Sequence, residues 1–242
     1  MTFITLVDKT LREGNQAPGI KLTTQATLTI ACALADAGVD FIEAGHPCAS
    51  TQEFDRVAAL VKSKIAKNIL AHSRAHRGDI DAVAATGANW IGIFSGINEA
   101  SQKYRLRKSK VQIHALIKQS VLYAKSLNLK VRFTIEDASR TSLEAGATFI
   151  SCTVNGIGER CGITETYLLI TNLHFNSIPC SGKTHKVLNL SSIVSKALGD
   201  TFDRRRPIIG EYSFVHTAKL HVTANSRNRN CYHWADPTCL SE

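Results

Sequence analysis

From residue 3 to residue 136, apolar runs of strand length alternate with stretches of helical periodicity. Phe3–Val7 is the first such run, followed by a helix that Thr23 or Thr24 caps and that ends near Ala37, before Gly38. Val39–Gly45 predicts a second strand and Thr51–Ile65 a second helix; Asn68–His72 predicts a third strand and Asp79–Ala85 a short helix stopped by Gly87. Trp90–Phe94, a strongly periodic helix over Val111–Leu127, and Lys130–Glu136 continue the pattern. Strands this apolar are buried on both faces. Strands alternating with helices bury that way only as a parallel sheet covered by its crossover helices. The cadence predicts an α/β fold of the (β/α)8 TIM-barrel type.

The rhythm then breaks. Only Asp137–Thr148 separates the fifth strand from the next, Phe149–Val154. A parallel crossover needs roughly a dozen residues, so this gap holds one short helix at most. Thr166–Phe175 is one more helix; residues 176–206 look irregular except for a helix over Ser191–Leu198. The chain is expected to divide into a barrel-type catalytic domain over 1–175 and a short appendage over 176–242.

Composition narrows the class. With 44% hydrophobic residues, the 242-residue chain can bury one good core. The net charge is +9, with basic runs at Arg105–Lys110 and Arg204–Arg206. No aromatic residues are interleaved with these runs to stack on bases. They are expected to be solvated loops on a protein of anionic substrates, with no nucleic-acid partner. Seven cysteines, an odd count without a C-x-x-C pair, predict small buried thiols in a reducing compartment; Cys32, inside an apolar run, is the example. No run reaches membrane-spanning length and no secretory leader opens the chain, so a cytoplasmic protein is expected.

The chemistry is concentrated where strands end. Asp8, Arg12 and Glu13 follow the first strand within a few residues, in the order Leu11-Arg12-Glu13-Gly14-x-Gln16. Ligands of α/β barrels sit at strand carboxyl ends, and a carboxylate beside a fixed cation suits a keto acid held on a divalent ion. This motif resembles the first signature of the homocitrate synthase/isopropylmalate synthase family. Asn155-Gly156-Ile157-Gly158-Glu159-Arg160-Cys161-Gly162-Ile163-Thr164 resembles that family's loop after its last barrel strand, and 207–221 resembles the linker after its barrel, with homocitrate synthases nearest in flavour. Gly156, Gly158 and Gly162 allow positive φ and close backbone approach; their spacing is not a dinucleotide fingerprint.

The resemblance implies a Claisen condensation of acetyl-CoA with a 2-oxo acid, 2-oxoglutarate, on a divalent metal (Zn, Mg or Mn). It implies that Arg12 neutralises the developing oxyanion and that Glu13 is a metal ligand. His72, Arg74 and His76 lie at i, i+2 and i+4, so on an extended strand all three face one way and can grip a distal carboxylate. Arg132, Thr134 and Glu136 repeat that alternation on the fifth strand. By resemblance Arg132 and Thr134 bind the keto acid and Glu136 serves the acid–base network. His221 and Tyr232, eleven residues apart, match a histidine and a tyrosine that reach over the site from the partner subunit of a homodimer. An imidazole is a sensible base there because it titrates near neutrality.

One part of the pattern is missing. The family's second signature, His-x-His on strand seven, supplies two metal ligands, and this chain has no His-x-His. Passing from strand five to strand eight removes barrel units six and seven, and with them the metal histidines and a threonine. Thr27 replaces a family lysine, Lys219-Leu220 replaces a glycine and a small apolar residue, and the chain is expected to be truncated after Glu242. A lone carboxylate holds a divalent ion weakly. Three readings stay open: a condensing enzyme for 2-oxoglutarate; an isopropylmalate- or citramalate-synthase-like enzyme; and a non-catalytic remnant that binds ligand or a full-length paralogue.

Overall fold

The computed structural model describes residues 3–96, 101–136, 149–201, 203–228 and 240. Along the chain run β1 (Thr5–Asp8), α1 (Thr10–Glu13), α2 (Thr24–Asp36), β2 (Phe41–Gly45), α3 (Thr51–Ser63), β3 (Ile69–Arg74) and α4 (Arg77–Ala85). They are followed by β4 (Trp90–Gly96), α5 (Lys110–Ser126), β5 (Lys130–Glu136), β6 (Phe149–Cys152), α6 (Thr166–Phe175), α7 (Val187–Leu198) and α8 (Lys219–Arg227). Two compact units result: Met1–Asp40 with Thr148–Glu242, and Phe41–Ala147.

In the second unit the strands lie in the order β2-β3-β4-β5, all parallel. Every residue of β2 is buried, as a strand sandwiched between layers requires. A register shift between Glu43 and Gly45 bends the end of β2. The helices start where side chains satisfy their first N–H groups: Ser50 accepts from Glu53 N in α3, and Ser109 and Gln112 form a capping box on α5. The register sets His72 level with Gly92, and Gly92 level with Arg132. Only a glycine therefore stands between those two basic side chains.

In the first unit β1 pairs in parallel with β6, the first strand with the last, as in a closed barrel. α2 starts at Thr23, whose hydroxyl accepts from Ala26 N, and buries the stripe Thr27, Ile30, Ala31 and Leu34. Leu6, Tyr167, Ile170, Leu173, Val187, Ile208, Ile209 and Leu240 form a packed core. Each large apolar side chain there contributes roughly 1.5–3 kcal/mol by leaving water.

Several expectations change. Cys32 is exposed, because α2 turns the stripe around Ile30 and Leu34 inward and carries position 32 to the outer side. Cys48 and Cys161 are exposed as well, while Cys152 is buried. The Arg12-Glu13 motif, which follows β1 as expected, lies on a helical turn. α7 begins at Val187, four residues before the predicted start, and a helix that was not predicted, α8, starts at Lys219 near the end of the linker-like segment 207–221. The predicted short helix over 137–148 lies outside the described residues.

Candidate functional site

In the sheet of the second unit the side chains of Glu43 in the middle of β2, His72 on β3 and Arg132 near the start of β5 meet. The Glu43 carboxylate, 1% exposed, has His72 Nδ1 at 3.4 Å from one oxygen and Arg132 Nη1 at 3.6 Å from the other. A carboxylate this deeply buried persists only beside opposite charge. The His72 ring stacks on Phe94, with centroids 4.2 Å apart, and meets His46 edge-on at 5.8 Å. These contacts fix the imidazole plane. Thr134, half-buried, follows Arg132 by two residues on the same strand. Glu136 closes β5 level with Gly96, and its side chain lies outside the described residues.

A second buried carboxylate is that of Asp79. Asp79, fully buried in the first turn of α4, accepts from Arg74 Nε at 2.7 Å, Arg74 Nη2 at 2.8 Å and the Arg74 backbone N–H at 3.2 Å. His46 Nε2 lies 2.9 Å from the same carboxylate and His76 Nδ1 3.5 Å. Burial pushes the Asp79 carboxyl up, but Arg74, His46 and the Cys48 thiol outweigh it and hold it well below the usual carboxylate range. The same pairing raises Arg74 above an ordinary guanidinium, and partial desolvation together with Asp79 pushes Cys48 up.

The row of three basic residues expected on β3 is thus divided. His72 joins Glu43 and Arg132. Arg74 turns to Asp79, its side chain 59% exposed, and β3 ends there. His76 is the residue before α4 and not a strand residue. The reason is local: Asp79, three residues past His76, captures the Arg74 backbone and side chain and turns the chain into the helix. A cavity of about 300 Å³ opens beside this turn, lined by Arg74, His76, Phe94, Arg105, Leu106 and Leu116. Its mixed basic and apolar wall suits an anionic group on an apolar stem.

In the first unit Arg12, buried, donates to Glu13 Oε1 at 2.6 Å and to Gln16 Oε1 at 3.3 Å. The three polar residues of the motif therefore form one bonded cluster. Asp8 is its support: its oxygens accept from Thr10 N and from the Thr166 hydroxyl, each at 2.8 Å, while the Thr10 hydroxyl accepts from Val154 N at 2.8 Å. The loop after β6 closes on itself. Gly162 has φ +78°, and a Cβ there would fall 1.6 Å from the Gly156 carbonyl oxygen, so only glycine fits. Gly156 also has positive φ, whereas Gly158 does not. Arg206 donates to Asn155 O at 3.0 Å and flanks Glu165 at 3.4 Å. This loop borders a cavity of about 430 Å³ with Pro18, Gly19 and Arg206 in its wall. His221 lies on α8 with its ring edge-on to His216 at 5.8 Å; Tyr232 lies outside the described residues.

Asp8→Ala removes the bonds from Thr10 N and the Thr166 hydroxyl at a fully buried position. It is expected to cost about 2–3 kcal/mol, seen as a lower urea midpoint with an unchanged slope.

Glu43, His46 and Asp79 are absent from the candidates read off the sequence. A weak signal existed for one: Glu43 is the single charge in the apolar run Phe41–Gly45. Among the described residues, no three His, Cys, Asp or Glu side chains gather as a metal cage. None of the described helices is long and apolar enough to cross a membrane.

Comparison with known proteins gives a consistent result. The family model described as HMGL-like matches residues 3–145 and 141–194, in two segments that meet within 141–145. The homocitrate synthase of Pyrococcus horikoshii is 31% identical over 292 residues, covering 94% of this chain and 81% of that protein. That of Pyrococcus abyssi is 32% identical over the same length and coverage. In structure the chain is similar to the HMG-CoA lyase of Bacillus subtilis, with a TM-score of 0.68 at 15% identity over 85% of this chain and 97% of that one. The HMG-CoA lyase of Pseudomonas aeruginosa gives 0.66 at 14% identity over 83% and 94%.

Proposed function

The chain belongs to the HMGL-like family, and from that premise we propose that it is a homocitrate-synthase-type acyltransferase scaffold that captures a 2-oxo dicarboxylate, 2-oxoglutarate, at the Glu43–His72–Arg132 cluster. The observation that carries this reading is the buried carboxylate held between an imidazole and a guanidinium. Arg132 supplies a fixed cation for a carboxylate of the ligand. His72, its plane set by Phe94, offers a ring nitrogen that can donate to the ligand or pass a proton. Glu43 keeps both groups oriented and offsets their charge, so the site stays folded when empty. Acetyl-CoA is the second ligand of this reading; the basic and apolar cavity beside Arg74 and Arg105 favours an anion on an apolar stem.

The divalent ion of the relatives' chemistry would polarise the keto oxygen. The described donors do not fit it. Glu13 is ion-paired to Arg12 at 2.6 Å, both oxygens of Asp8 are hydrogen-bonded, and the chain has no His-x-His. No step is assigned through a metal here. The alignment with the Pyrococcus protein spans 292 residues against 242 in this chain, so at least 292 − 242 = 50 of its residues have no counterpart here. With the family match divided at 141–145, this supports the loss of barrel units six and seven, which carried the metal histidines. The intact Arg12–Glu13–Gln16 cluster favours a second reading, a condensing enzyme still active.

Calorimetry and a thiol-release assay separate the two. The expected result is saturable binding of 2-oxoglutarate, with CoA release from acetyl-CoA at background in Mg²⁺, Mn²⁺ or Zn²⁺. Turnover with any of these ions would establish the second reading. Absence of 2-oxoglutarate binding would overturn the proposal itself.

A further inference from the structure

We infer that the loop before α5 and the outer face of α5 form a docking surface for a bilayer rich in anionic phospholipid. Residues 100–135 hold nine lysines and arginines and no aspartate or glutamate, so this one stretch carries a charge equal to the net +9 of the whole chain. Lys103, Arg105, Arg107 and Lys108 of the loop are exposed, as are Lys110 and Lys118 of α5. The loop lies against the helix. Leu106 and Leu116 share the wall of one cavity, and the capping box at Ser109 ties the loop to the first turn. The cations therefore belong to one continuous surface. Cations are disfavoured at a helix amino end, yet the first turn of α5 carries Lys110 and no acid. An anionic surface brought against it relieves that repulsion.

The apolar component of this face selects lipid over other polyanions. Tyr104 is 72% exposed, Val111 78% and Leu122 58%. Along α5, Val111, Ala115, Lys118, Leu122 and Lys125 recur every three or four residues and are all exposed. They form one stripe, opposite the buried Ile113, Ser120 and Ala124. Valine and leucine gain by leaving water only against apolar material. The backbone of a nucleic acid offers phosphates without it, whereas the boundary between headgroups and acyl chains offers both. Lysines beside such side chains can lay their stems along the apolar layer and keep their ammonium groups among the phosphates. Asp81 of α4 accepts from the Tyr123 hydroxyl at 2.5 Å, on a flank of α5 away from this stripe. α5 stays packed through its buried face, so the contact is peripheral and inserts no helix.

The inference does not rest on ligand capture, since Val111, Lys118 and Leu122 take no part in the Glu43 or Asp79 clusters. The test is sedimentation of the full chain with vesicles of phosphatidylcholine, made with and without phosphatidylserine. The chain should pellet with the mixed vesicles and stay in solution with pure phosphatidylcholine. It should be released at about 1 M salt, where charges are screened beyond about 3 Å. Each lysine near an anionic leaflet is worth about fivefold in affinity, so Lys110→Glu/Lys118→Glu should weaken binding by more than about twenty-five-fold. Glutamate in the first turn favours the helix and Lys118 is exposed, so this variant should keep the wild-type urea midpoint. Lys62→Glu/Lys67→Glu makes the same change in net charge on exposed residues that precede β3, at the opposite end of the parallel strands from the loop after β4. It should weaken binding by no more than about twofold. Val111→Ser/Leu122→Ser should weaken it by about tenfold or more. A wild-type chain that leaves the mixed vesicles unbound would overturn the inference. So would equal losses in the two charge variants, which would make net charge rather than this face responsible. Binding to duplex RNA or DNA that is tighter than to the vesicles and indifferent to Val111→Ser/Leu122→Ser would overturn it as well, and would assign the face to nucleic acid.

Discussion

Asp79→Asn is expected to lower the free energy of unfolding by about 3 kcal/mol, one of the largest single-site effects in this molecule. The side chain is fully buried and accepts from the Arg74 guanidinium, the Arg74 backbone and His46. Each hydrogen bond to a charged group is worth about 1.5–3 kcal/mol, but the Arg74 side chain is 59% exposed and water can solvate it once released. The total is therefore well below the sum. pH gives an independent signature. The folded-state pKa of Asp79 lies below its unfolded value, so the folded protein binds the proton less readily than the unfolded chain. The stability it contributes is fully present above about pH 4, near the unfolded carboxyl value, and is lost as pH falls toward the folded one. In urea titrations the difference between the wild-type chain and Asp79→Asn should be constant from neutrality to about pH 5 and narrow steadily as pH falls below about 4. A difference that stays constant into that acid range would show that packing, not charge, carries the effect.

Arg132→Ala is expected to act on both stability and binding. Removing the guanidinium leaves the Glu43 carboxylate buried without its cation, a change that costs about 3–5 kcal/mol when a deeply buried pair is broken. Glu43→Gln should cost less, about 1–2 kcal/mol, because the amide keeps the shape and its oxygen can still face Arg132. The double variant Glu43→Gln/Arg132→Ala should therefore be more stable than Arg132→Ala alone, since the uncompensated charge has gone. That non-additivity is the mark of a direct pair. Binding separates the roles further. 2-oxoglutarate affinity should fall by at least about a hundredfold in Arg132→Ala and remain low in the double variant, where stability is partly recovered. Affinity that recovers along with stability would show that Arg132 only holds the fold.

Much of this architecture was legible in the residues because it is local. Apolar runs of strand length, Ser50 and Ser109 as caps, and Gly38 and Gly87 as stops report on neighbours a few positions away. Those signals placed β2 to β5 and α2 to α5 within a few residues. The motif Arg12–Gln16 was also readable, since its members bond to one another across four positions.

The sequence by itself determined the parallel α/β order and the family, and most helix limits to within a few residues. It also made Arg12, Glu13, His72 and Arg132 candidates, because residue type and period need only local information. Which of the polar residues share a site was decided by tertiary structure. Glu43 reaches His72 and Arg132 because the ladders set positions 72, 92 and 132 level, and because the one between them is glycine. Arg74 and His76, two and four residues on along the same run, go instead to the buried carboxylate of Asp79, which the turn after β3 brings beside them. Strand register and the burial of a charge are properties of distant segments brought together, and no periodicity within one segment encodes them.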